Sequence, residues 1–268
     1  MEKRWLGGRR AGGNSDKEIP RRCLGLVRES NMPAIRVSAI AKKFGNVCAL
    51  DGVTFNVEKG EFFGLFGPNG AGKTTLTRIV TGQLLPDSGE GETMGVPFRD
   101  GLEIKRRVGI VPESETPPTF LTAQEFLELV CRLRELGGVQ ERVDRWLKFF
   151  DIEDKRDVLC RDMSKGQRQK IMLAVAFIHE PDLLLLDEPF INLDPIFQRR
   201  VREYLVEHVR KGRTIFMCSH ILEIAERLCT RMAVIKAGQI VALGSLEEIR
   251  SRKDERLEEV FMRLVGGE

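Results

Sequence analysis

The chain has 268 residues, of which 42% are hydrophobic and 31% are charged, and its formal net charge is +3. This size and composition are typical of a globular α/β protein with enough apolar residues for a large core. The longest uninterrupted apolar run, residues 171–178, is far shorter than the roughly 18 residues that a spanning helix needs, so no transmembrane helix is predicted. Six cysteines without C-x-x-C spacing favour free thiols in a reducing compartment.

The first 31 residues differ in charge from the rest of the chain. Residues 1–31 contain eight Lys/Arg and four Asp/Glu, which leaves 35 basic and 36 acidic residues in 32–268. This Gly- and Arg-rich segment lacks apolar periodicity and is predicted to be a disordered tail. Three interpretations stay open: a solvated tail, a weak contact with anionic lipid, or a chain whose true start is Met32. The near-neutral remainder argues against a nucleic-acid-binding surface.

From Met32 onward, apolar patterns indicate strands. Ile35 and Val37 alternate with polar residues, residues 53–57 alternate again, and residues 62–66 are apolar apart from one glycine. These segments are predicted to form a small antiparallel layer. A turn is expected at residues 87–89, where Asp, Ser and Gly follow one another.

A phosphate-binding loop follows the third of these strands. Residues 67–74 read Gly-Pro-Asn-Gly-Ala-Gly-Lys-Thr and match the pattern G-x-x-x-x-G-K-[ST], with a helix predicted over 74–80. The glycines let backbone N–H groups turn toward an anion, and the helix directs its positive end to the same place. Lys73 supplies a charge for the β- and γ-phosphates, and the Thr74 hydroxyl is a ligand for Mg²⁺. The loop therefore predicts a nucleoside-triphosphate site.

A helical insert, near residues 114–165, is predicted after a short strand at 108–111. Thr122 with Glu125 three residues later is a capping box. Apolar residues then recur at helical spacing at Phe126, Val130 and Leu133 and, in a second stretch, at Val143, Trp146, Leu147 and Phe150.

Beyond residue 164, strand and helix patterns alternate, which predicts a largely parallel sheet. The predicted strands are 183–186, 214–218, 232–235 and 239–243, the last two as a hairpin, and the predicted helices are 195–210 and 220–228. Asp187 and Glu188 end the first of these strands, and ligands of open α/β sheets bind beyond the carboxyl ends of strands. We expect Asp187 to hold Mg²⁺ and Glu188 to polarise an attacking water; the alternative is a strand that ends in surface acids.

Residues 163–167, Met-Ser-Lys-Gly-Gln, precede a helix that runs to about Ile178. Ser164 is a good N-cap, and a helix start with exposed amides is an anion site. From the local pattern alone, an ordinary capped helix is the preferred interpretation.

Taken together, these segments resemble the ATP-binding cassette (ABC) ATPases, the nucleotide-binding subunits of ABC transporters, over residues 34–261. The motifs occur in the family's order and approximate spacing. Residues 67–75 resemble Walker A, 183–187 Walker B, 163–167 the signature motif, 192–194 the D-loop, and Ser219-His220 the position of the switch histidine. Lys165 and Asn192 stand where the family commonly has Gly. The resemblance implies one ABC ATPase domain over 32–268: an α/β P-loop NTPase with a RecA-like core, a small antiparallel β subdomain and an inserted α-helical subdomain.

The resemblance also implies a role for each matched residue. ATP contacts are implied for Gly67, Pro68, Asn69, Gly70, Ala71, Gly72, Lys73, Thr74 and Thr75, for an adenine-stacking Phe44 and, from an opposite subunit, for Ser164, Gly166 and Gln167. Catalytic roles are implied for Glu188, His220 and Lys73, and Mg²⁺ ligation for Thr74, Glu113 and Asp187. Alternatively, Phe44 is a core residue and His220 a helix cap. Glu113 departs from the family, which usually has Gln there; a carboxylate keeps an oxygen ligand for a hard cation but loses an amide donor.

The implied function is the binding and hydrolysis of ATP to power a separate membrane permease, with export favoured over import. Because the chain carries one cassette, an ATP-bound homodimer, or a heterodimer with a related cassette, is expected. Such a protein would be cytoplasmic and peripheral on the inner face of the cell membrane. One alternative is a soluble ABC ATPase that acts on nucleic acid or ribosomes, although the chain lacks the long coiled coils of such proteins. Another is a regulatory cassette that binds ATP without hydrolysing it.

Overall fold

The computed structural model describes residues 32–113, 116–219, 222–252 and 255–266, with the backbone alone at 223–225. The tail predicted at 1–31 and the predicted catalytic residue His220 therefore lie outside the described residues. The strands are β1 (Ile35–Phe44), β2 (Val47–Val57), β3 (Phe62–Phe66), β4 (Ser88–Thr93), β5 (Val96–Pro97), β6 (Val108–Val111), β7 (Leu183–Asp187), β8 (Thr214–Cys218), β9 (Arg231–Lys236) and β10 (Gln239–Gly244). The helices are α1 (Lys73–Val80), α2 (Gly101–Arg107), α3 (Ala123–Leu133), α4 (Val139–Phe149), α5 (Lys165–Phe177), α6 (Pro195–Arg210), α7 (Leu222–Leu228), α8 (Leu246–Ile249) and α9 (Leu257–Val265).

The smaller sheet is antiparallel and has the strand order β2-β1-β4-β5. It contains the two strands predicted from Ile35 and Val37 and from residues 53–57, and it adds β4 and β5, which the sequence pattern did not indicate. The turn predicted at residues 87–89 is wrong, because Ser88 and Gly89 open β4. Ala41 of β1 pairs with Ser88, so this polar segment finds its hydrogen-bond partners on the free edge of β1.

The larger sheet has the order β10-β9-β3-β8-β7-β6. Its strands are parallel apart from β10, which forms the predicted hairpin with β9. The prediction that β3 belongs to the antiparallel layer is wrong, because β3 pairs in parallel with β8 and β9. All five residues of β3 are buried, which is typical of a central strand in a parallel sheet that is covered on both faces.

The region between β6 and β7 is helical. Thr122 caps α3 through the predicted capping box: its hydroxyl accepts from the N–H of Glu125, and the Glu125 carboxylate accepts from the N–H of Thr122. The buried face of α3 is formed by Ala123, Leu127 and Cys131, whereas Leu133 is exposed. The four apolar positions predicted for α4 and its end are all buried, at Val143, Trp146, Leu147 and Phe150.

The larger sheet separates two hydrophobic cores. On β7, Leu184 and Leu186 pack into the core that includes the helical region, and Leu183 and Leu185 pack into the core that includes α1 and the antiparallel sheet. This alternation fixes β7 in register between two cores, so the strand delivers Asp187 to the carboxyl edge of the sheet. No helix within the described residues is long and apolar enough to cross a membrane.

Candidate nucleotide-binding site

A cleft of about 600 Å³ opens at the carboxyl ends of the parallel strands. Nine predicted site residues line it: Asn69, Gly70, Gly72, Lys73, Thr74, Thr75, Glu113, Asp187 and Glu188. The cleft therefore brings the phosphate loop, the end of β7 and the second residue after β6 into one place. Gly67, Pro68 and Ala71 belong to the same loop without lining the cleft, and Phe44, Ser164, Gly166 and Gln167 also lie outside its lining.

The phosphate loop has a backbone that only glycine adopts easily. Gly72 has φ 109°, and a Cβ at this position would lie 2.5 Å from the carbonyl oxygen of Ala49. Gly72 is also the N-cap of α1, and no side chain caps this helix. The first-turn N–H groups of α1 are thus left to a ligand, and the positive end of the helix favours an anion.

Lys73 lies folded across the loop that precedes it. Its ammonium group donates hydrogen bonds to the carbonyl oxygens of Gly67, at 2.7 Å, and Pro68, at 3.0 Å. Both acceptors are backbone atoms of the loop, so the cationic group is held where the loop amides would bind phosphate. The charge and the amides would therefore act on the same anion.

Three oxygen-bearing side chains meet beside Lys73. The Thr74 hydroxyl donates to Glu113 Oε2 at 3.3 Å, and Asp187 lies in the same cleft with 4% of its surface exposed. Burial, and then the carboxylates of Glu113 and Glu188, raise the pKa of Asp187 to about 7. Lys73 and Arg78 act in the opposite direction but do not cancel this rise, so a further cation at this place would stabilise the Asp187 carboxylate.

The donor set fits Mg²⁺, because a hydroxyl and two carboxylates are the hard oxygen ligands that this ion prefers. Among the described residues no group of three or more His, Cys, Asp or Glu could hold a metal by itself. Mg²⁺ is commonly held by one or two carboxylates together with substrate phosphates and water. The pair of Glu113 and Asp187 with Thr74 matches that pattern.

Glu188 directly follows β7 and is held by contacts with the end of β8. It is 7% exposed, its φ is +49°, and its backbone N–H donates to the carbonyl oxygen of Cys218 at 2.9 Å. The hydroxyl of Ser219, itself buried, donates to Glu188 Oε2 at 3.1 Å. The interpretation of residues 187 and 188 as ordinary surface acids does not fit this burial. The sequence pattern did not indicate the contact with Ser219, because it depends on the pairing of Asp187 with Cys218 across two strands.

The start of α5 forms a separate candidate surface. Ser164 and Gln167 form a reciprocal capping box, with Ser164 Oγ accepting from the N–H of Gln167 and Gln167 Oε1 accepting from the N–H of Ser164. Ser164 is exposed, and it does not line the cleft that holds Lys73. A Cβ on Gly166 would lie 2.7 Å from the carbonyl oxygen of Asn192, so this helix start packs against the segment that follows β7.

Phe44 lies at the end of β1 and is 49% exposed, which rules out the core interpretation. The ammonium group of Lys42 lies 5.7 Å from the centre of its ring. Phe44 does not line the cleft, whereas Val47 and Cys48 at the start of β2 do. Sequence reasoning missed these two residues, because no motif marks them and only the fold brings the start of β2 to the phosphate loop.

Comparison with known proteins identifies the family. The sequence model of a family described as "ABC transporter" matches residues 50–191. The Nod factor export ATP-binding protein I of Rhizobium meliloti (strain 1021) is 37% identical over 214 residues, which are 79% of this chain and 64% of that relative. An uncharacterized ABC transporter ATP-binding protein of Nostoc sp. is 41% identical over 207 residues, 76% of this chain and 62% of the relative. The chain thus matches less than two thirds of the length of either relative.

Solved structures give the same result. The chain resembles a structure described as the ATP binding subunit of an ABC transporter, with a TM-score of 0.81 and 32% identity, over 86% of this chain and 99% of that one. It also resembles cbiO1 of Clostridium perfringens, described as part of the ABC transporter complex cbiONQ, with a TM-score of 0.69 and 27% identity, over 83% of this chain and 92% of that one.

The cleft and these neighbours define the class as a P-loop NTPase of the ATP-binding cassette type. The chain belongs to the ABC transporter family and is one of its ATP-binding proteins. The resemblance noted from the motifs and the fold expected from it are therefore confirmed.

Proposed function

We propose that this protein binds and hydrolyses ATP as the energy-coupling subunit of an ABC transporter whose permease is a separate chain. The observation that carries the proposal is the convergence of Lys73, Thr74, Asp187 and Glu188 in one cleft at the carboxyl edge of the parallel sheet. A phosphate cradle, a hard-oxygen cation site and a buried carboxylate are the parts that phosphoryl transfer to water requires.

Each residue has a role that follows from its position. The loop amides and Lys73 bind the β- and γ-phosphates, which compete with the carbonyl oxygens of Gly67 and Pro68 for the ammonium group. Thr74, Asp187 and Glu113 hold Mg²⁺, which supplies charge neutralisation at the phosphates when it is bound. Glu188 orients the attacking water and accepts its proton. His220 is assigned to the γ-phosphate by the family resemblance alone, since it lies outside the described residues.

The signature segment supports an assembly of two cassettes. Ser164, Gly166 and Gln167 are assigned to ATP by the resemblance, yet they lie outside the lining of the cleft that holds Lys73. We propose that they contact the nucleotide bound by an opposite subunit, either a second copy of this chain or a related cassette. Phe44 is assigned to the adenine ring, and its exposed ring leaves a face free for stacking.

The transport direction is inferred from relatives. A protein named for Nod factor export is 37% identical to this chain, and this name supports export by the assembly that contains this chain. The permease would place the protein on the inner face of the cell membrane. The permease selects the exported substrate, so the residues of this chain do not define it.

Co-purification tests the proposed partner. The full chain, tagged at one end and expressed in its own cells, is recovered from detergent-solubilised membranes, and the associated proteins are identified by mass spectrometry. We expect a polytopic membrane protein in stoichiometric amount. Recovery with ribosomes or nucleic acid and without a membrane protein would contradict the proposal and support the soluble alternative.

A further inference from the structure

Glu113 adds a third carboxylate to the nucleotide cleft. It follows β6, where the family pattern has a neutral glutamine, and its Oε2 accepts from the Thr74 hydroxyl at 3.3 Å. Among the residues that the structure describes, the charged side chains that line the cleft are Lys73, Glu113, Asp187 and Glu188. This part of the lining sets three carboxyl groups against one ammonium group, whereas a glutamine at residue 113 would leave two.

This balance acts on ATP in opposite ways with and without a metal ion. Metal-free ATP brings about four negative charges into a cleft that holds the buried carboxyl groups of Asp187 and Glu188 and the exposed side chain of Glu113, and like charges repel. A divalent cation changes the sign of the contribution from Glu113, because the carboxylate becomes a ligand or a near neighbour of the cation. The same side chain therefore opposes free ATP and favours the ATP–metal complex.

We propose that Glu113 makes ATP binding by this protein conditional on a divalent cation. The inference rests on the proposed function, since it concerns the same site. A purely structural role for Glu113 is the competing account: its hydrogen bond to Thr74 would hold the loop after β6 against α1. That role predicts equal changes in ATP affinity with and without metal.

Equilibrium binding of ATP to the full-length chain separates these accounts. The dissociation constant is measured by calorimetry in Mg²⁺ and in excess EDTA for the wild type and for Glu113→Gln. Glu58→Gln is the matched control, because Glu58 is exposed in the turn before β3, at the opposite end of that strand from the phosphate loop. Glu113→Asp serves as a second variant that keeps the charge.

We expect removal of Mg²⁺ to weaken ATP binding by the wild type by about 100-fold, and Glu113→Gln to bind metal-free ATP about tenfold more tightly than the wild type. Glu58→Gln should follow the wild type, and Glu113→Asp, which keeps the negative charge, should still bind ATP more weakly in EDTA than in Mg²⁺. Equal dependence on Mg²⁺ in the wild type and in Glu113→Gln would overturn the inference while leaving the proposed function intact. Absence of ATP binding by the wild type in both buffers would instead contradict the proposed function.

Discussion

Glu188 is held at the end of β8 through both its backbone and its side chain. Its N–H is bound to the carbonyl oxygen of Cys218, its carboxylate accepts from Ser219, and its φ of +49° turns the chain sharply at the end of β7. A left-handed residue other than glycine is sustained only where the surroundings determine it, and such positions cluster at functional sites. Ser219 therefore acts on the proposed chemistry through Glu188.

Removal of the Ser219 hydroxyl should lower turnover without weakening ATP binding. We expect Ser219→Ala to reduce kcat by about tenfold, because a small displacement of the carboxylate is enough to misalign the attacking water. Ser219→Thr keeps the hydroxyl and should retain most of the activity. The measurement is steady-state phosphate release over a range of ATP concentrations, with the exposed Ser88→Ala as control. A change confined to KM, or no rescue by Thr, would contradict this role.

The residues of the phosphate loop could be predicted from the sequence, and the contacts of Glu188 could not. Lys73 and Thr74 belong to a pattern whose backbone geometry is local, so eight consecutive residues specify it. The hydrogen bond from Ser219 joins residues 31 positions apart, and it forms only because Asp187 and Cys218 pair in register. Phe44 was ambiguous for the same reason: its exposure depends on what the fold leaves beside it.

At the level of elements, local signals explain which boundaries could be predicted. Helix α6 begins where expected because Asp194 caps it and Pro195 occupies its first turn. Strand β4 was missed because its sequence, Ser-Gly-Glu-Gly-Glu-Thr, has no apolar alternation and depends on the edge of β1. Helix α2 was missed because it has seven residues and buries only Ile104.

The start of α5 requires a residue without a side chain at position 166. Gly166→Ala should lower the free energy of unfolding by about 1–3 kcal/mol, because the new methyl group would press on the Asn192 carbonyl. Gly137→Ala is the matched control, since a Cβ there meets no atom within 4 Å. Urea unfolding of both variants checks the expectation. If Gly166→Ala is as stable as the control, the helix start and the segment around Asn192 are not in contact.

Helix α6 carries a buried histidine that makes stability depend on pH. His208 is 2% exposed, and its Nε2 has no hydrogen-bond partner among the described residues. Burial, and then the charges of Arg213 and Lys211, lower the pKa of His208 to about 4. The unfolded chain takes up this proton near pH 6.5 and the folded chain only near pH 4, so stability falls as the pH drops between these values.

Replacing His208 should flatten this part of the stability curve. We expect His208→Phe to lose less free energy of unfolding than the wild type between pH 6.5 and 4, by on the order of 3 kcal/mol. Chemical denaturation at intervals of half a pH unit gives both curves. The difference between the two proteins should be constant above pH 7. Parallel curves over the whole range would contradict the assignment of the pH dependence to His208.

At the level of the whole molecule, the order of elements could be predicted and the placement of β3 could not. Alternating strands and helices after residue 164 indicated a parallel sheet, which β7, β8 and β9 join as expected. The insertion of β3 between β8 and β9 pairs Phe62 with Ile215, 153 positions away, and Phe63 with Arg231, 168 positions away, and no local pattern records these pairings. This insertion sets the phosphate loop beside Asp187 and Glu188, and so it creates the cleft.

The phosphate loop and the start of α5 are candidate anion sites at separate places on the cassette. Lys73 lies in the cleft, and Ser164 caps α5 outside its lining. A single cassette therefore offers half of each composite site in the proposed assembly. In the proposed function, hydrolysis by that assembly depends on the carboxylate of Glu188 in each cleft.

Phosphate release from ATP by the Glu188→Gln variant tests that claim most directly. We predict that the wild type hydrolyses ATP in Mg²⁺ and that the variant is at least about 100-fold slower, because the amide cannot accept a proton from water. ATP affinity, measured on the same samples, should be unchanged or tighter. Hydrolysis at the wild-type rate by Glu188→Gln would contradict the account.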